Sequence, residues 1–171
     1  YIFLDKFKPL KFELFEWFPD PQIVFEFYLD GLSGVMMVLI STLSLVIQLF
    51  STSYMSKDEK YTKYFEYFNF FVFSMLLLVM SGNFLVMFFG WELVGLSSYL
   101  LISFWSEKKS ASKAGNKAFI LNRIGDFGFL IGLMMILNYF ETFNFLSIFE
   151  DTLKTRPENL DLMILFLLLG A

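Results

Sequence analysis

Cysteine and histidine are both absent from this chain of 171 residues. Without cysteine there are no disulfides, no thiolate metal sites and no cysteine nucleophile. Without histidine the chain lacks the commonest metal ligand and the side chain whose unperturbed pKa lies nearest neutrality. Proton chemistry must therefore use carboxylates, lysine, tyrosine or water, with pKa values moved by burial and neighbouring charge.

Charged residues are scarce as well. They make up 18% of the chain, against about 25% in ordinary soluble domains, whereas 57% of the residues are hydrophobic. This balance is typical of integral membrane proteins. The net charge of −4 says little about partners, and the sequence has neither a basic run typical of nucleic-acid binding nor a signal-peptide pattern.

Long apolar segments predict an all-α integral membrane fold with about four full transmembrane helices and a partial fifth. The predicted spans are 31–50, 64–80, 84–105 and 117–140, and the fifth begins near Leu162. Asp30 is placed to cap the first span, and residues 81–83 predict a tight turn between the second and third. Polar residues 141–161 favour a short amphipathic helix.

Residues 11–30 read differently from the spans. Phe12 and Glu13, and later Phe25 to Phe27, alternate partly between apolar and polar, and Pro19-Asp20-Pro21-Gln22 between them is typical turn chemistry. The segment predicts a small amphipathic β-hairpin on the outer membrane surface, with an irregular interfacial linker as the alternative. We therefore divide the chain into a surface hairpin and linker, 1–30, and a transmembrane part, 31–171.

Lysine is unevenly distributed among the connections, and cations of short loops face the cytoplasm or the mitochondrial matrix. Loops 51–63 and 106–116 carry most of it, so we expect both on that side and the hairpin on the other. The cations of the lysine-rich side are Lys57, Lys60, Lys63, Lys108, Lys109, Lys113 and, at the boundary, Lys117. Those of the opposite side are Lys6, Lys8, Lys11, Lys154 and Arg156.

Three charges lie inside predicted spans: Glu92 in the third, and Arg123 and Asp126 in the fourth. A charge at the bilayer centre costs roughly 2.5–3.5 kcal/mol on insertion scales, so such residues face protein or a wet cavity and mark ion paths. Each carboxylate lies about nine residues into its span, or about 13 Å deep. Antiparallel neighbours thus bring Glu92 and Asp126 to similar depth.

The spacing of these charges suggests their chemistry. Arg123 and Asp126 are i,i+3 and share a helix face, and the arginine, which keeps its proton, would act electrostatically. The partner of Glu92 is Arg123, a lysine from another segment, or a proton. A buried glutamate with a changing partner suits proton loading; the structural alternative is an ion pair that orients helices without carrying protons.

Glycines surround these charges. Gly128 and Gly132 form a GxxxG pair in the fourth span, and Gly90 and Gly95 flank Glu92 in the third. Small residues allow close helix approach in membranes, so we assign all four to helix packing.

Two motifs carry a family resemblance. Residues 89–105 (FGWELVGLSSYLLISFW) and 117–129 (KAFILNRIGDFGF) resemble NADH dehydrogenase subunit 5, the distal antiporter-like membrane subunit of respiratory complex I. Leu29 to Ser33, where the first span begins, is also similar, and the resemblance covers nearly the whole chain. It implies proton translocation driven by electron transfer from NADH to ubiquinone, with Glu92 as the key carboxylate and Asp126 and Arg123 modulating the same channel.

The resemblance also implies what other chains supply. FMN, iron–sulfur clusters, NADH and ubiquinone would belong to other subunits, with no cofactor here, and the partners would be membrane-arm subunits and lipids. The family's partner lysine helix would follow Ala171, so we expect a piece of a longer subunit or a split-gene product. The expected location is the mitochondrial inner membrane, or alternatively a bacterial plasma membrane.

Two other functions stay open from the sequence. One is a subunit of a multisubunit cation/proton antiporter, whose large subunits are similar to this family. The other is a structural piece of the membrane arm with no direct proton role.

Overall fold

A computed structural model describes residues 8–19, 22–154 and 157–170, and in these ranges the chain forms two strands and six helices. Their bounds are β1 Leu10–Pro19, β2 Gln22–Leu29, α1 Gly31–Tyr54, α2 Tyr61–Val79, α3 Phe84–Ile102, α4 Lys109–Phe140, α5 Phe145–Lys154 and α6 Leu160–Gly170. The helical class with a small hairpin is confirmed. The predicted turn residues Asp20 and Pro21, the cations Lys6 and Arg156, and Ala171 lie outside the described residues.

The two strands form the predicted hairpin rather than an irregular linker. They pair antiparallel, with irregularities in register after Glu13 and after Glu16. β2 also contacts the helices, because the Tyr28 amide donates to the Met80 carbonyl at 2.9 Å. The Gly82 amide donates to the Glu26 carbonyl as well, so β2 is the strand that joins the hairpin to the turn between α2 and α3.

Asp30 caps α1 as its sequence position predicts. Its carboxylate accepts the Ser33 amide at 2.8 Å, and the Ser33 hydroxyl accepts the Asp30 amide at 2.7 Å, which completes a capping box. Partial burial raises the pKa of Asp30, but the hydrogen bonds from Ser33 outweigh it, so the pKa lies below its ordinary value. The charged cap fixes where the hairpin ends and the helix begins.

The predicted start of the fourth span at 117 is wrong, because α4 begins at Lys109. Hydropathy detects the apolar part of a helix, whereas the first turns of α4 contain Lys109 and Lys113, and lysine favours helix without being apolar. For the same reason α2 begins at Tyr61 and α1 continues to Tyr54. The lysine-rich connections are thus shorter than predicted, 55–60 and 103–108.

Within the residues that the structure describes, three helices, α1, α3 and α4, are long and apolar enough to cross a membrane. α2 has the length of α3 but is more polar at its start, where Lys63, Glu66 and Asn69 occur. It packs against both α1 and α3. α6 is apolar and comprises 11 described residues.

α4 lies at the centre of the packing and α1 at its edge. The core joins β2, α4, α5 and α6 through a cluster of buried apolar residues: Ile23, Phe129, Leu133, Ile136, Phe143, Ile148 and Met163. α1 instead exposes most of its apolar side chains and buries Ser33, Ile40 and Ser51. Such an exposed apolar surface is suited to lipid contact.

α5 is the predicted short amphipathic helix. Ile148 contributes to the core, whereas Leu146, Phe149 and Leu153 are exposed. It follows the end of α4, where Glu141 takes a left-handed backbone conformation with φ of 55°.

Candidate functional site

The three charges singled out by the sequence lie together. The Arg123 Nη1 nitrogen pairs with the Oε2 oxygen of Glu92 and lies 3.6 Å from the Oδ2 oxygen of Asp126. One guanidinium nitrogen therefore serves two carboxylates from different helices. We call Glu92, Arg123 and Asp126 the charged cluster; its formal charge, two negative and one positive, is −1.

Aromatic stacking holds α3 against α4 beside this cluster. The ring of Phe129 lies between Phe88 and Trp91 of α3, at centroid distances of 5.5 and 6.2 Å and nearly parallel to both. On the other side of α3, a Cβ atom on Gly90 would lie 2.8 Å from the Leu78 Cα atom. Gly90, two residues before Glu92, therefore permits α2 to approach α3 closely.

Burial within the cluster is graded. The exposed fraction of the side chain is 9% for Asp126, 21% for Glu92 and 43% for Arg123. The guanidinium also lies 4.9 Å from the ring centroid of Phe119, one turn earlier in α4. Asp126 is thus the interior member, and Arg123 extends to the periphery of the described helices.

A cavity of about 470 Å³ adjoins Asp126. Its polar lining comes from Ser98 of α3 and from Asn122 and Asp126 of α4. Because a water occupies about 30 Å³ of liquid volume, the cavity has room for several hydrogen-bonded waters. The sequence pattern alone does not single out Ser98, whereas the i,i+4 spacing of Asn122 to Asp126 places both on one helix face.

The glycines assigned to packing lie at helix contacts. Positions for a Cβ atom on Gly128 and Gly132 would be 3.1 Å from Leu169 Cβ and 3.0 Å from Leu167 side-chain carbons of α6. At Gly95 the nearest atom, the Asn122 Nδ2 nitrogen, would be at an ordinary 3.6 Å. Gly90, Gly128 and Gly132 therefore lie where a side chain would crowd a neighbouring helix, whereas Gly95 borders the cavity.

The sequence reading missed a second buried carboxylate, Glu26 of β2, which is 3% exposed. Its Oε1 oxygen accepts the Asn144 amide at 2.7 Å, and its Oε2 oxygen pairs with Lys11 Nζ at 2.8 Å. The hydrogen bond that Lys11 donates to Glu26 raises the pKa of Lys11. We call Lys11, Glu26, Asn83 and Asn144 the hairpin junction. The signal that could have found Glu26 is the strand register, which places it opposite Glu13. Two like charges directly opposite each other destabilise a strand pair, so a cation is expected nearby.

The lysine-rich connections meet at the other end of the helices. The Trp105 indole donates to Asp58 at 2.9 Å and lowers the pKa of this carboxyl. Lys60 pairs with Glu107, which raises the pKa of the lysine. These contacts tie the α1–α2 connection to the α3–α4 connection.

The described residues include no group of three or more acidic side chains arranged to hold a metal ion.

Comparison with known families gives two matches. Residues 81–171, more than half of the chain, match the family described as NADH:quinone oxidoreductase/Mrp antiporter, transmembrane. Residues 17–65 match the family described as NADH-ubiquinone oxidoreductase (complex I), chain 5 N-terminus. The first match includes the whole charged cluster and the second includes Glu26.

Similar proteins carry related names. NADH-ubiquinone oxidoreductase chain 5 of Acanthamoeba castellanii is 43% identical over 85% of this chain, and NADH-quinone oxidoreductase subunit L of Rickettsia bellii is 41% identical over 75%. The chain spans 23% and 20% of their lengths. A solved Mrp complex from Dietzia has the same fold, with a TM-score of 0.86 and 19% identity, over 99% of this chain and 19% of that one.

Proposed function

Because this chain belongs to the family of NADH:quinone oxidoreductase and Mrp antiporter membrane subunits, we propose that its charged cluster loads and passes protons in an NADH:quinone oxidoreductase. The observation that carries the proposal is the sharing of one Arg123 nitrogen by Glu92 and Asp126. The three groups together leave one negative charge unbalanced within the spans. Such a charge is costly in a membrane, and a bound proton removes it.

The sharing also supplies a means of release. Arg123 can pair more closely with one carboxylate or the other, and whichever it leaves gains affinity for a proton because an opposite charge favours the ionised form. A small movement of the guanidinium thus exchanges the protonated partner. Waters in the cavity beside Asp126, held by Ser98 and Asn122, would connect that carboxylate to a proton supply.

The other parts of the proton pump would be supplied by the rest of the subunit and by other subunits. We assign residues 31–171 to the carboxylate side of a half-channel and 1–30 to its surface hairpin, with the rest of the subunit supplying the partner lysine helix. FMN, iron–sulfur clusters, NADH and ubiquinone would be bound by other subunits. The membrane would be the mitochondrial inner membrane, or a bacterial plasma membrane, with the lysine-rich connections on the matrix or cytoplasmic side.

The test is proton uptake measured together with NADH oxidation in membranes that contain the whole complex. Glu92→Gln keeps the shape and removes the charge, so we expect normal assembly with loss of proton movement per electron. Glu66→Gln in α2, an exposed glutamate outside the cluster, is the matched control and leaves the ratio unchanged. Normal pumping by assembled Glu92→Gln complexes would instead support a structural role.

A cation/proton antiporter is the second candidate function, favoured by the family description and by the shared fold with the Mrp complex. Mass spectrometry of the native complex distinguishes the two. Flavin and iron–sulfur subunits in the same complex support the oxidoreductase, whereas their absence from an otherwise intact complex supports the antiporter.

A further inference from the structure

We propose that Glu26 is a positioning residue that holds the hairpin ends of α3 and α4 in register and thereby fixes the spacing of Glu92 from Arg123 and Asp126. The inference rests on the proposed function of the charged cluster. It concerns a residue in a different element, β2, which contacts none of the three charges directly and acts through the helices that carry them.

Glu26 is bonded in a way that leaves it little freedom. Both carboxylate oxygens have a partner, Asn144 at 2.7 Å and Lys11 at 2.8 Å. The side chain borders a polar cavity of about 200 Å³ that Asn83 and Thr142 also line. A carboxylate that is 3% exposed is stable there because two donors, one of them charged, replace its water.

The backbone of the same residue holds the start of α3. Its carbonyl accepts the Gly82 amide at 3.0 Å. A Cβ atom on Gly82 would lie 2.7 Å from the Glu26 Cγ atom, so the two segments are in close contact. Next in the chain, Asn83 donates to the Val24 carbonyl at 2.8 Å and accepts the Val86 amide at 2.9 Å, which caps α3. The first turn of α3 is therefore fixed to β2.

The end of α4 is fixed to the same place. Asn144, which donates to Glu26, follows α4 by a few residues, and the adjacent Phe143 carbonyl accepts the Phe84 amide at 3.0 Å. Asn144 also accepts the amides of Leu146 and Ser147 at the start of α5. Glu26 thus links α3, through its backbone, to the segment after α4, through its side chain.

Helices transmit this constraint to the charged cluster. Glu92 lies nine residues after Asn83 in the sequence, about 13 Å along α3 at 1.5 Å per residue. An axial shift of α3 at the hairpin junction therefore moves Glu92 relative to Arg123 by the same amount, because a packed helix slides as a unit. The shared ion pair depends on this relative position.

The test compares Glu26→Gln with Glu13→Gln in the whole complex. Both residues pair with Lys11, but Glu13 is 59% exposed, so its variant controls for loss of a hairpin charge. In Glu26→Gln the new amide has one oxygen for two donors, so its nitrogen faces either Lys11 or Asn144, donor against donor. We expect hydrogen exchange at the Gly82 and Phe84 amides to accelerate about tenfold, the equivalent of one charge-assisted hydrogen bond, with fewer protons moved per electron.

A second experiment exchanges the carboxylate of residue 26 and the amide of residue 144 and measures whether proton pumping recovers. Asn144→Asp preserves the oxygen that caps α5 but places a second carboxylate against Glu26, so alone it lowers protons per electron. Combined with Glu26→Gln it restores a carboxylate–amide bond of reversed direction, and pumping recovers. If Glu26→Gln by itself assembles poorly, the double variant with Asn144→Asp still tests the proposal.

Two results would overturn the inference. One is Glu26→Gln behaving like Glu13→Gln in both exchange and pumping, and the other is faster exchange with an unchanged proton-to-electron ratio. Glu92→Gln measured in parallel separates this failure from failure of the proposed function. If Glu92→Gln stops pumping while Glu26→Gln does not, the cluster function stands and the positioning role falls.

Discussion

The charged cluster and the hairpin junction are built from similar parts, since in each a single cation lies near two carboxylates, although the second carboxylate near Lys11 is the exposed Glu13 beside the junction. At the hairpin junction Lys11 lies 2.8 Å from Glu26 and 3.0 Å from Glu13, and an amide satisfies the remaining oxygen of Glu26. In the charged cluster Arg123 serves both Glu92 and Asp126, and Asp126 opens on a cavity. Each oxygen of Glu26 therefore has a donor within 2.8 Å, whereas the shared arginine nitrogen lies 3.6 Å from Asp126.

This difference separates a carboxylate that holds neighbouring segments in place from one that can transfer protons. A buried carboxylate whose two oxygens are both held by close donors is fixed in place and fixes its neighbours. A carboxylate whose cation lies farther away and is shared with a second carboxylate can gain or lose a proton with a small movement. The hairpin junction also contacts the ends of the two helices that carry the charged cluster, so the rigid cluster can hold the responsive one in place.

Removal of the cation from each cluster gives the largest expected contrast. Arg123→Leu leaves Glu92 and Asp126 facing each other unpaired, and we expect it to destabilise the assembled complex by about 2–4 kcal/mol, somewhat below a fully buried pair because the arginine is partly exposed. Lys11→Met leaves one oxygen of the buried Glu26 without a donor but preserves its bond from Asn144, so we expect a smaller loss of about 1–2 kcal/mol, in the lower part of the range for an unsatisfied buried acceptor. Thermal midpoints of the purified complexes measure both.

Arg123→Lys is the control for the cation test. It keeps the charge but replaces a forked donor with a compact one, so its midpoint should fall between wild type and Arg123→Leu. Equal losses from Arg123→Leu and Lys11→Met would mean that the two clusters do not differ in the way described.

Helix α3, which runs from the hairpin junction to the charged cluster, provides the second prediction. Gly90→Ala would place a Cβ atom 2.8 Å from Leu78 Cα, against backbone that cannot rotate away, and we expect a loss of about 1–3 kcal/mol from overpacking. Assembly level on native gels and thermal midpoint provide the measurements. Gly34→Ala in α1, where nothing lies within 4 Å, is the matched control. Equal behaviour of the two variants would contradict the close α2–α3 contact.

A third carboxylate extends the comparison to an accessible site and gives the smallest effect. Hydrogen bonds from Trp105 and from the Lys60 amide lower the pKa of Asp58. A lowered folded-state pKa means that the contribution to stability is present at neutral pH and is lost as pH falls through the acid range. Trp105 fluorescence should change over that range in wild type and stay flat in Asp58→Asn. A matching change in the variant would assign the transition to another group.

Much of the site could be predicted because its residues are charged whereas the segments that contain them are apolar. Glu92, Arg123 and Asp126 are charges in apolar spans, and their i,i+3 spacing already pairs two of them. Glu26 could not be found this way, since a glutamate between Phe25 and Phe27 is ordinary in a strand that alternates. Its burial follows from the packing of β2 on the α3 and α4 ends, which depends on residues distant in sequence such as Asn144.

The sequence by itself determined the helical membrane class, the hairpin, the Asp30 cap and the identity of the charged residues, because hydropathy, turn chemistry and local spacing act over a few neighbouring residues. The tertiary structure alone decided that Arg123 reaches Glu92 as well as Asp126, that a cavity adjoins Asp126, and that Glu26 is buried. Each of these depends on how separate elements pack, and packing is set by side-chain shape across the whole interior rather than by any local pattern.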